Sequence, residues 1–218
     1  MLGYRENKLA EVRPGSTFAT FEVYDPAQQQ VVDLLRRVAD QVVERGPRIL
    51  TEEFPFDNGK ILFLWSEPGR GKTHLVEAFV NHIRQHDERL LKKMVLSRGR
   101  FYFDFQFDVN PYGVPIVIID DMFHNMQSID QLHPATELAS FMKFITMVYE
   151  RRILVLVTSN FPMMEGGGIL SRVEHVDKIG RIVSRSKEVL AGSGEIHLAG
   201  RDFRETLAER RQSHGFSL

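Results

Sequence analysis

The sequence predicts an α/β fold in which a parallel sheet lies between two layers of helices. Three uninterrupted apolar runs, at residues 61–64, 114–119 and 153–157, are typical of buried parallel strands. The segments between them carry apolar residues three and four positions apart, which predicts helices. Strands that alternate with helices pair in parallel and are covered on both faces. We therefore expect a ligand beyond the carboxyl ends of these strands.

Length and composition fit a single globular domain. The 218 residues are 43% apolar and 26% charged, and the formal net charge of -1 provides no bulk attraction to nucleic acid. The absence of cysteine excludes disulfides and thiolate metal sites. No apolar run approaches the roughly 20 residues that span a bilayer, and the N-terminus is charged. We expect a cytoplasmic protein that makes no membrane contact.

The first predicted helix begins at Asp25-Pro26 and ends before Gly46-Pro47. Aspartate is a favoured N-cap, proline is favoured at the first helical position, and Gly-Pro is expected beyond a helix end. The apolar residues between these limits share one helical face, as in Val31, Leu34, Leu35, Val38 and Val42.

The most informative motif follows the first apolar run and reads Ser66-Glu67-Pro68-Gly69-Arg70-Gly71-Lys72-Thr73. A strand, a glycine-bearing turn and a helix that opens with Lys-Thr form the setting of a phosphate-binding loop. Backbone N–H groups and the helix N-terminus would bind the anion, Lys72 would reach the terminal phosphates, and the Thr73 hydroxyl would coordinate Mg²⁺. Ser66 replaces the usual first glycine. The Gly-Lys-[Ser/Thr] triplet arises by chance in roughly one chain in ten of this length, so it needs support.

That support comes from the polar residues that end two other predicted strands. Asp120 would lie near the Mg²⁺ held by Thr73, directly or through water. Asp121 could orient or deprotonate an attacking water, and Asn160 could hydrogen-bond this water or the γ-phosphate. Paired aspartates can instead cap a strand–loop junction, and an isolated asparagine more often forms a turn.

Two arginines are weaker candidates. Arg172 could be an arginine finger that stabilises charge on the γ-phosphate of a neighbouring subunit, and Arg204 could contact the same phosphates from its own chain. A lone arginine usually lies on the surface, so both assignments depend on the family resemblance given below.

Other patterns can be explained by ordinary structure as well as by function. Alternating phenylalanines at residues 101–107 predict a strand, and glycines at 192–194 suggest a hairpin. His82 and His86 have metal-ligand spacing but no evident third partner. Basic residues could bind a DNA backbone, although a solvated face is the commoner explanation; they are Lys92, Lys93, Arg98, Arg100, Arg210 and Arg211.

Taken in order, these motifs resemble the AAA+ ATPases of the DnaC/IstB helicase-loader and transposition-helper type, which are close to the DnaA initiator. Residues 68–75 are similar to Walker A and residues 118–121 to Walker B. Residues 157–162 are similar to sensor 1. Weaker likenesses are to an N-terminal segment (16–21), the arginine-finger box (170–172) and sensor 2 (200–204). The likeness covers nearly the whole chain.

The resemblance implies a P-loop NTPase (AAA+) three-layer sandwich with a central parallel sheet and a reduced C-terminal lid. Residues 1–46 would form an N-terminal segment and helix, 47–173 the nucleotide-binding core, and 174–218 the lid or sensor 2 region. It implies ATP and Mg²⁺ as cofactors. The nucleotide would be bound by Ser66, Glu67, Pro68, Gly69, Arg70, Gly71, Lys72, Thr73 and His74. Thr73 and Asp120 would hold the metal, while catalysis would use Asp121, Asn160, Arg172 and Arg204.

The resemblance also implies an ATPase that assembles as a homo-oligomer when ATP is bound. Members grip single- or double-stranded DNA and load a replicative helicase or direct a transposase. Many related ATPases have glutamate where this chain has the shorter Asp121, which leaves the rate of hydrolysis open. Two alternatives are an assembly scaffold with little ATPase activity and a small-molecule P-loop kinase. The strand end Thr158-Ser159-Asn160 argues against the kinase.

Overall fold

The structure, a computed structural model, describes residues 7–52, 55–57, 59–99, 114–124, 126–132, 139–174, 177, 180–190 and 194–203. Its helices are α1 (Pro26–Glu44), α2 (Gly46–Thr51), α3 (Lys72–His86), α4 (Ala139–Arg151), α5 (Ile169–Glu174) and α6 (Arg181–Val189). Its strands are β1 (Lys60–Trp65), β2 (Met94–Arg98), β3 (Ile116–Met122), β4 (Leu154–Ser159) and β5 (Glu195–His197).

The strands form one parallel sheet in the order β2-β3-β4-β1-β5. This confirms the predicted fold class. Because β4 lies between β1 and β3, its end separates the loop that follows β1 from the end of β3. All carboxyl ends share one edge of the sheet, so the segments that leave β1, β3 and β4 meet there.

Side chains on the two faces of β1 belong to two separate cores. Ile61 and Phe63 pack with residues of α4, α5 and α6, whereas Leu62 and Leu64 pack with residues of α1 and α3. All four are buried, and burying a side chain of this size stabilises a fold by roughly 1.5–3 kcal/mol. Burial on both faces explains why the strands read as uninterrupted apolar runs.

Helix α1 has the predicted start and end. The Asp25 side chain accepts a hydrogen bond from the backbone N–H of Gln28, and the helix ends at Glu44. Gly46 and Pro47 follow this helix end, as expected. They open α2, in which Pro47 occupies the first turn, where its missing N–H costs nothing.

The strands that carry the candidate site are longer than predicted. Strand β3 continues through Asp120 and Asp121, and β4 continues through Thr158 and Ser159. Asp120 pairs with Arg98 of β2, so it lies within the ladder instead of after it. Asp121 has φ 60° and coincides with an irregularity in the β3–β4 register.

The expected hairpin around residues 192–194 is wrong. Helix α6 precedes this segment, and β5 after it pairs in parallel with β1. Residues 195–197, inside the range expected for a lid, therefore form the edge strand of the sheet. The predicted strand at 101–107 and Arg204 lie outside the described residues. None of the described helices combines the length and apolar character needed to span a bilayer.

Candidate nucleotide-binding site

The loop between β1 and α3 requires glycine at two positions. Gly69 and Gly71 have φ of 84° and 91°, a region that other residues rarely adopt. A methyl group on Gly71 would lie 2.6 Å from Cε2 of Phe21, and one on Gly69 would overlap the Asp202 carboxylate. The loop is thus closely covered by segments from both ends of the chain.

Lys72 is buried and folds back onto the loop. Its ammonium donates to Ser66 O at 2.7 Å, to Ser66 Oγ at 3.1 Å and to Glu67 O at 3.0 Å. Burial lowers the pKa of Lys72 to about 8, against the opposing effect of Asp121 and Asp120. A bound phosphate would replace these neutral acceptors with an anion and would favour the charged amine.

Ser66, which stands in place of the usual first glycine, has a defined role in this loop. Its side chain is buried, donates to Glu67 O at 3.0 Å and accepts from Lys72. The substitution therefore adds a polar contact inside the loop and leaves the turn intact.

Thr73 and Asp120 bring two oxygen ligands together across the sheet edge. Thr73 Oγ1 donates to Asp120 Oδ1 at 3.3 Å, and Thr158 Oγ1 donates to the same oxygen at 2.8 Å. Burial raises the pKa of Asp120, and the hydrogen bonds from Thr158 and Thr73 oppose that shift. A hydroxyl beside a carboxylate suits Mg²⁺, which prefers oxygen ligands and keeps several of its waters.

Asp121 is hydrogen-bonded to Thr158 and Asn160, at the carboxyl end of β4. Its N–H donates to Thr158 Oγ1 at 2.7 Å, and its Oδ1 accepts from Asn160 Nδ2 at 3.3 Å. A positive φ is uncommon for a residue other than glycine and is often found at functional sites. The three polar residues predicted at strand ends are thus brought together.

His74 connects the loop's helix to the N-terminal segment. Its Nε2 lies 3.0 Å from Thr17 O and 3.3 Å from Thr20 Oγ1, and its ring meets that of Phe21 edge-on at 5.5 Å. Within the loop, Arg70 Nε lies 3.6 Å from the Glu67 carboxylate. Residues 17–21 therefore form one wall beside the phosphate loop.

The chain's C-terminal part crosses the same loop. Leu198 N donates to Trp65 O at 2.9 Å and Phe203 N donates to Gly69 O at 3.0 Å. These backbone bonds place residues 198–203 along the loop, just before Arg204.

Arg172 lies on α5, where it forms an ion pair with Asp130 of its own chain. Its side chain is 37% exposed, so it is accessible from solvent. A contact with a neighbouring subunit's phosphate stays a prediction.

Several residues around the site have no role in the sequence-based assignment of the nucleotide site. Thr158 binds both aspartates, and the buried Glu77 forms an ion pair with Arg98 near Asp120. Phe21 covers Gly71. Only Glu77 has a local signal, since it is the one charged residue in the otherwise apolar run of residues 75–80.

Comparison with solved structures places this geometry in a known fold. The crystal structure of DnaI aligns with a TM-score of 0.52 and 14% identity, covering 91% of this chain and 94% of that one. Domain III of Thermotoga maritima DnaA aligns with a TM-score of 0.54 and 18% identity, over 94% and 77% of the chains. DnaA bound to AMPPCP and single-stranded DNA aligns at 0.51 with 13% identity, over 93% and 56%. No protein-family model matches the sequence, and no curated protein is significantly similar to it. The likenesses show that this chain shares the fold of these proteins, in agreement with the α/β fold expected from the motifs.

Proposed function

We propose that this chain is an AAA+ ATPase that binds and hydrolyses ATP, assembles on DNA and acts as a helicase-loader-like or transposition-helper-like factor in DNA replication or mobility. The nucleotide site rests on one observation: the buried Lys72 ammonium and the Thr73–Asp120 pair lie at the carboxyl edge of the sheet, beside a loop with two glycines of positive φ. Cation, oxygen ligands and backbone turn together suit a triphosphate with Mg²⁺.

In this proposal the loop and the first turn of α3 bind the phosphates. Lys72 exchanges its bonds to Ser66 and Glu67 for the β- and γ-phosphate oxygens. Thr73 and Asp120 hold Mg²⁺, directly or through water, and the ion when bound neutralises charge on these oxygens.

Hydrolysis requires a water in line with the bond between the β- and γ-phosphates. Asp121 orients that water and accepts its proton while the bond to the leaving ADP breaks. Asn160 holds the Asp121 carboxylate through its 3.3 Å hydrogen bond. Arg172 of a neighbouring subunit, and Arg204 of the same chain, stabilise charge on the γ-phosphate.

The role in DNA metabolism is supported by the structural likenesses. One neighbour is DnaA bound to a non-hydrolysable ATP analogue and single-stranded DNA, and another is DnaI. We propose that ATP drives this chain to form a homo-oligomer that contacts DNA and engages a replicative helicase or a transposase.

Lys72→Ala tests the nucleotide site, because it removes the phosphate counter-charge. Trp65, the only tryptophan, directly precedes the loop, so its fluorescence reports binding. We expect ATP to change this signal in the wild type but not in Lys72→Ala. Lys60→Ala, at the opposite end of β1, is the matched control and should bind normally. Unchanged ATP affinity in Lys72→Ala would overturn the site.

Sizing by light scattering tests the assembly. With AMPPCP we expect a larger species than without it, and single-stranded DNA of defined length should enlarge it further. A monomer under every condition would contradict the proposed assembly on DNA while leaving the nucleotide site intact.

A nucleotide-gated scaffold with little ATPase activity is the second candidate. It is favoured by Asp121, whose short carboxylate is already engaged by Asn160. Asp121→Asn separates the two functions: an ATPase loses steady-state turnover and keeps binding, whereas a scaffold shows the same low turnover and the same assembly before and after the change.

A further inference from the structure

Glu77 is a buried carboxylate on α3, on the helix face that it shares with the buried Asn81. Its side chain is 2% exposed, and both of its oxygens are hydrogen-bonded. Oε1 accepts from Arg98 Nη2 at 2.9 Å, while Oε2 accepts from Arg13 Nε at 2.7 Å and from Ser16 Oγ at 2.8 Å. A buried charge is tolerated only when it is paired and hydrogen-bonded, so these partners hold one another in place.

Arg98 faces a second carboxylate. It lies beside Asp120 in the β2–β3 register, and its Nε is 3.8 Å from Asp120 Oδ2. This Nε is buried and donates no hydrogen bond. The guanidinium is therefore hydrogen-bonded to Glu77 but only at ion-pair distance from Asp120, the residue assigned to Mg²⁺ above.

We propose that Glu77 is a positioning residue, which holds Arg98 back from Asp120 and so leaves the Asp120 carboxylate open to Mg²⁺. The inference rests on the proposed function, because it takes Thr73 and Asp120 as the metal-holding pair. Without the charge of Glu77, Arg98 would turn its guanidinium to Asp120, which the unpartnered Nε already faces. A guanidinium hydrogen-bonded to that carboxylate competes with Mg²⁺ for the same oxygens.

Arg13, in the N-terminal segment, competes with Arg98 for the Glu77 carboxylate. Arg13 and Arg98 share one carboxylate, so each weakens the hold of Glu77 on the other. Arg13 also lies just before the residues that contact His74 and cover Gly71. A displacement of this segment would thus change how strongly Glu77 retains Arg98.

The test is a Mg²⁺ titration of ATP binding, followed by Trp65 fluorescence, with an EDTA sample as the metal-free baseline. We expect Glu77→Gln to raise the Mg²⁺ concentration at half-saturation about tenfold, as for other groups that orient a metal ligand. Metal-free ATP affinity should not change. Adding Arg98→Met to Glu77→Gln should restore the wild-type requirement, since the competing cation is gone.

Arg13→Gln should lower the Mg²⁺ concentration at half-saturation, because Glu77 then pairs with Arg98 alone. Arg13 is 65% exposed, so this variant is expected to fold even if Glu77→Gln does not. Arg84→Gln is the matched control: Arg84 binds Leu9 O and Asn81, and anchors the same N-terminal segment without touching Glu77. It should keep the wild-type requirement.

Each outcome decides the matter. A wild-type Mg²⁺ requirement in Glu77→Gln, or failure of Arg98→Met to restore it, overturns the positioning role. If Glu77→Gln does not fold, an Arg13→Gln protein with an unchanged requirement overturns it. Absence of any Mg²⁺-dependent ATP binding in the wild type is a different result, which overturns the proposed function and this inference with it.

Discussion

The hydroxyl of Thr158 donates a 2.8 Å hydrogen bond to Asp120 Oδ1. The same oxygen atom of Thr158 accepts the backbone N–H of Asp121 at 2.7 Å. One buried side chain on β4 therefore orients both acidic residues at the end of β3. The relationship exists because β4 lies between β1 and β3 in the sheet.

Thr158→Val should reduce both stability and turnover. The methyl group fills the space of the hydroxyl but leaves the Asp121 N–H without its acceptor, which costs about 1–3 kcal/mol. Urea unfolding measures this loss, and ATP turnover measures the disordering of Asp120 and Asp121. Thr146→Val on α4 is the control. It removes the half-buried bonds to Met142 O and from Arg185 Nη1 and should change stability by less than about 0.5 kcal/mol. Wild-type turnover in Thr158→Val would contradict the orienting role.

ATP affinity should fall as the pH rises above the pKa of Lys72, which burial lowers to about 8 in the free protein. The phosphates favour the ammonium, so the pKa is higher in the complex and binding above pH 8 must take up a proton. We expect affinity to be flat below that pH and to weaken by up to about tenfold per pH unit above it. Binding titrations from pH 7 to 9.5 measure this. Lys72→Arg, which stays charged, should show no such decline, and a flat wild-type profile would refute the linkage.

Arg172→Ala should spare ATP binding and lower turnover if, as proposed, the residue acts on a neighbour's nucleotide. Mixing it with Asp121→Asn should recover part of the activity, since some interfaces then combine an intact Asp121 with an intact Arg172. Steady-state turnover of the mixture, compared with each variant alone, measures this. Arg181→Ala, an exposed arginine on α6, is the control. A mixture no more active than its components would place the finger elsewhere or indicate a monomer.

Gly71→Ala should weaken the phosphate loop. A left-handed backbone costs a residue other than glycine roughly 1–2 kcal/mol, and the methyl group would displace Phe21. We expect a lower melting temperature and weaker ATP binding. Adding Phe21→Ala should recover the part of the lost melting temperature that is due to overlap with the Phe21 ring, but not the part that is due to backbone strain. Gly15→Ala, which meets nothing within 4 Å, is the control. Equal melting temperatures for Gly71→Ala and Gly15→Ala would contradict the prediction.

Local sequence patterns were sufficient to predict those helices and strands that are determined by residues nearby in the chain. The start of α1 at Asp25 and the strands β1, β3 and β4 follow from capping and from uninterrupted apolar runs. The hairpin expectation failed because glycines mark a turn but carry no information about the partner strand. Gly46-Pro47 marked the end of α1 but not the start of α2, since this pair suits both the end of one helix and the start of another.

The sequence by itself determined which residues end the buried strands, and so which polar groups reach the carboxyl edge of the sheet. Lys72, Asp120 and Asn160 were predictable on that basis, because a buried strand can be recognised from the hydrophobic pattern of a few consecutive residues. The tertiary structure alone decided that Thr158 reaches Asp120, and that Arg13 and Arg98 share Glu77. Such contacts join residues that are tens of positions apart in the sequence but about 3 Å apart in the structure. Strand order and helix packing set these distances, and neither can be read from a local hydrophobic pattern.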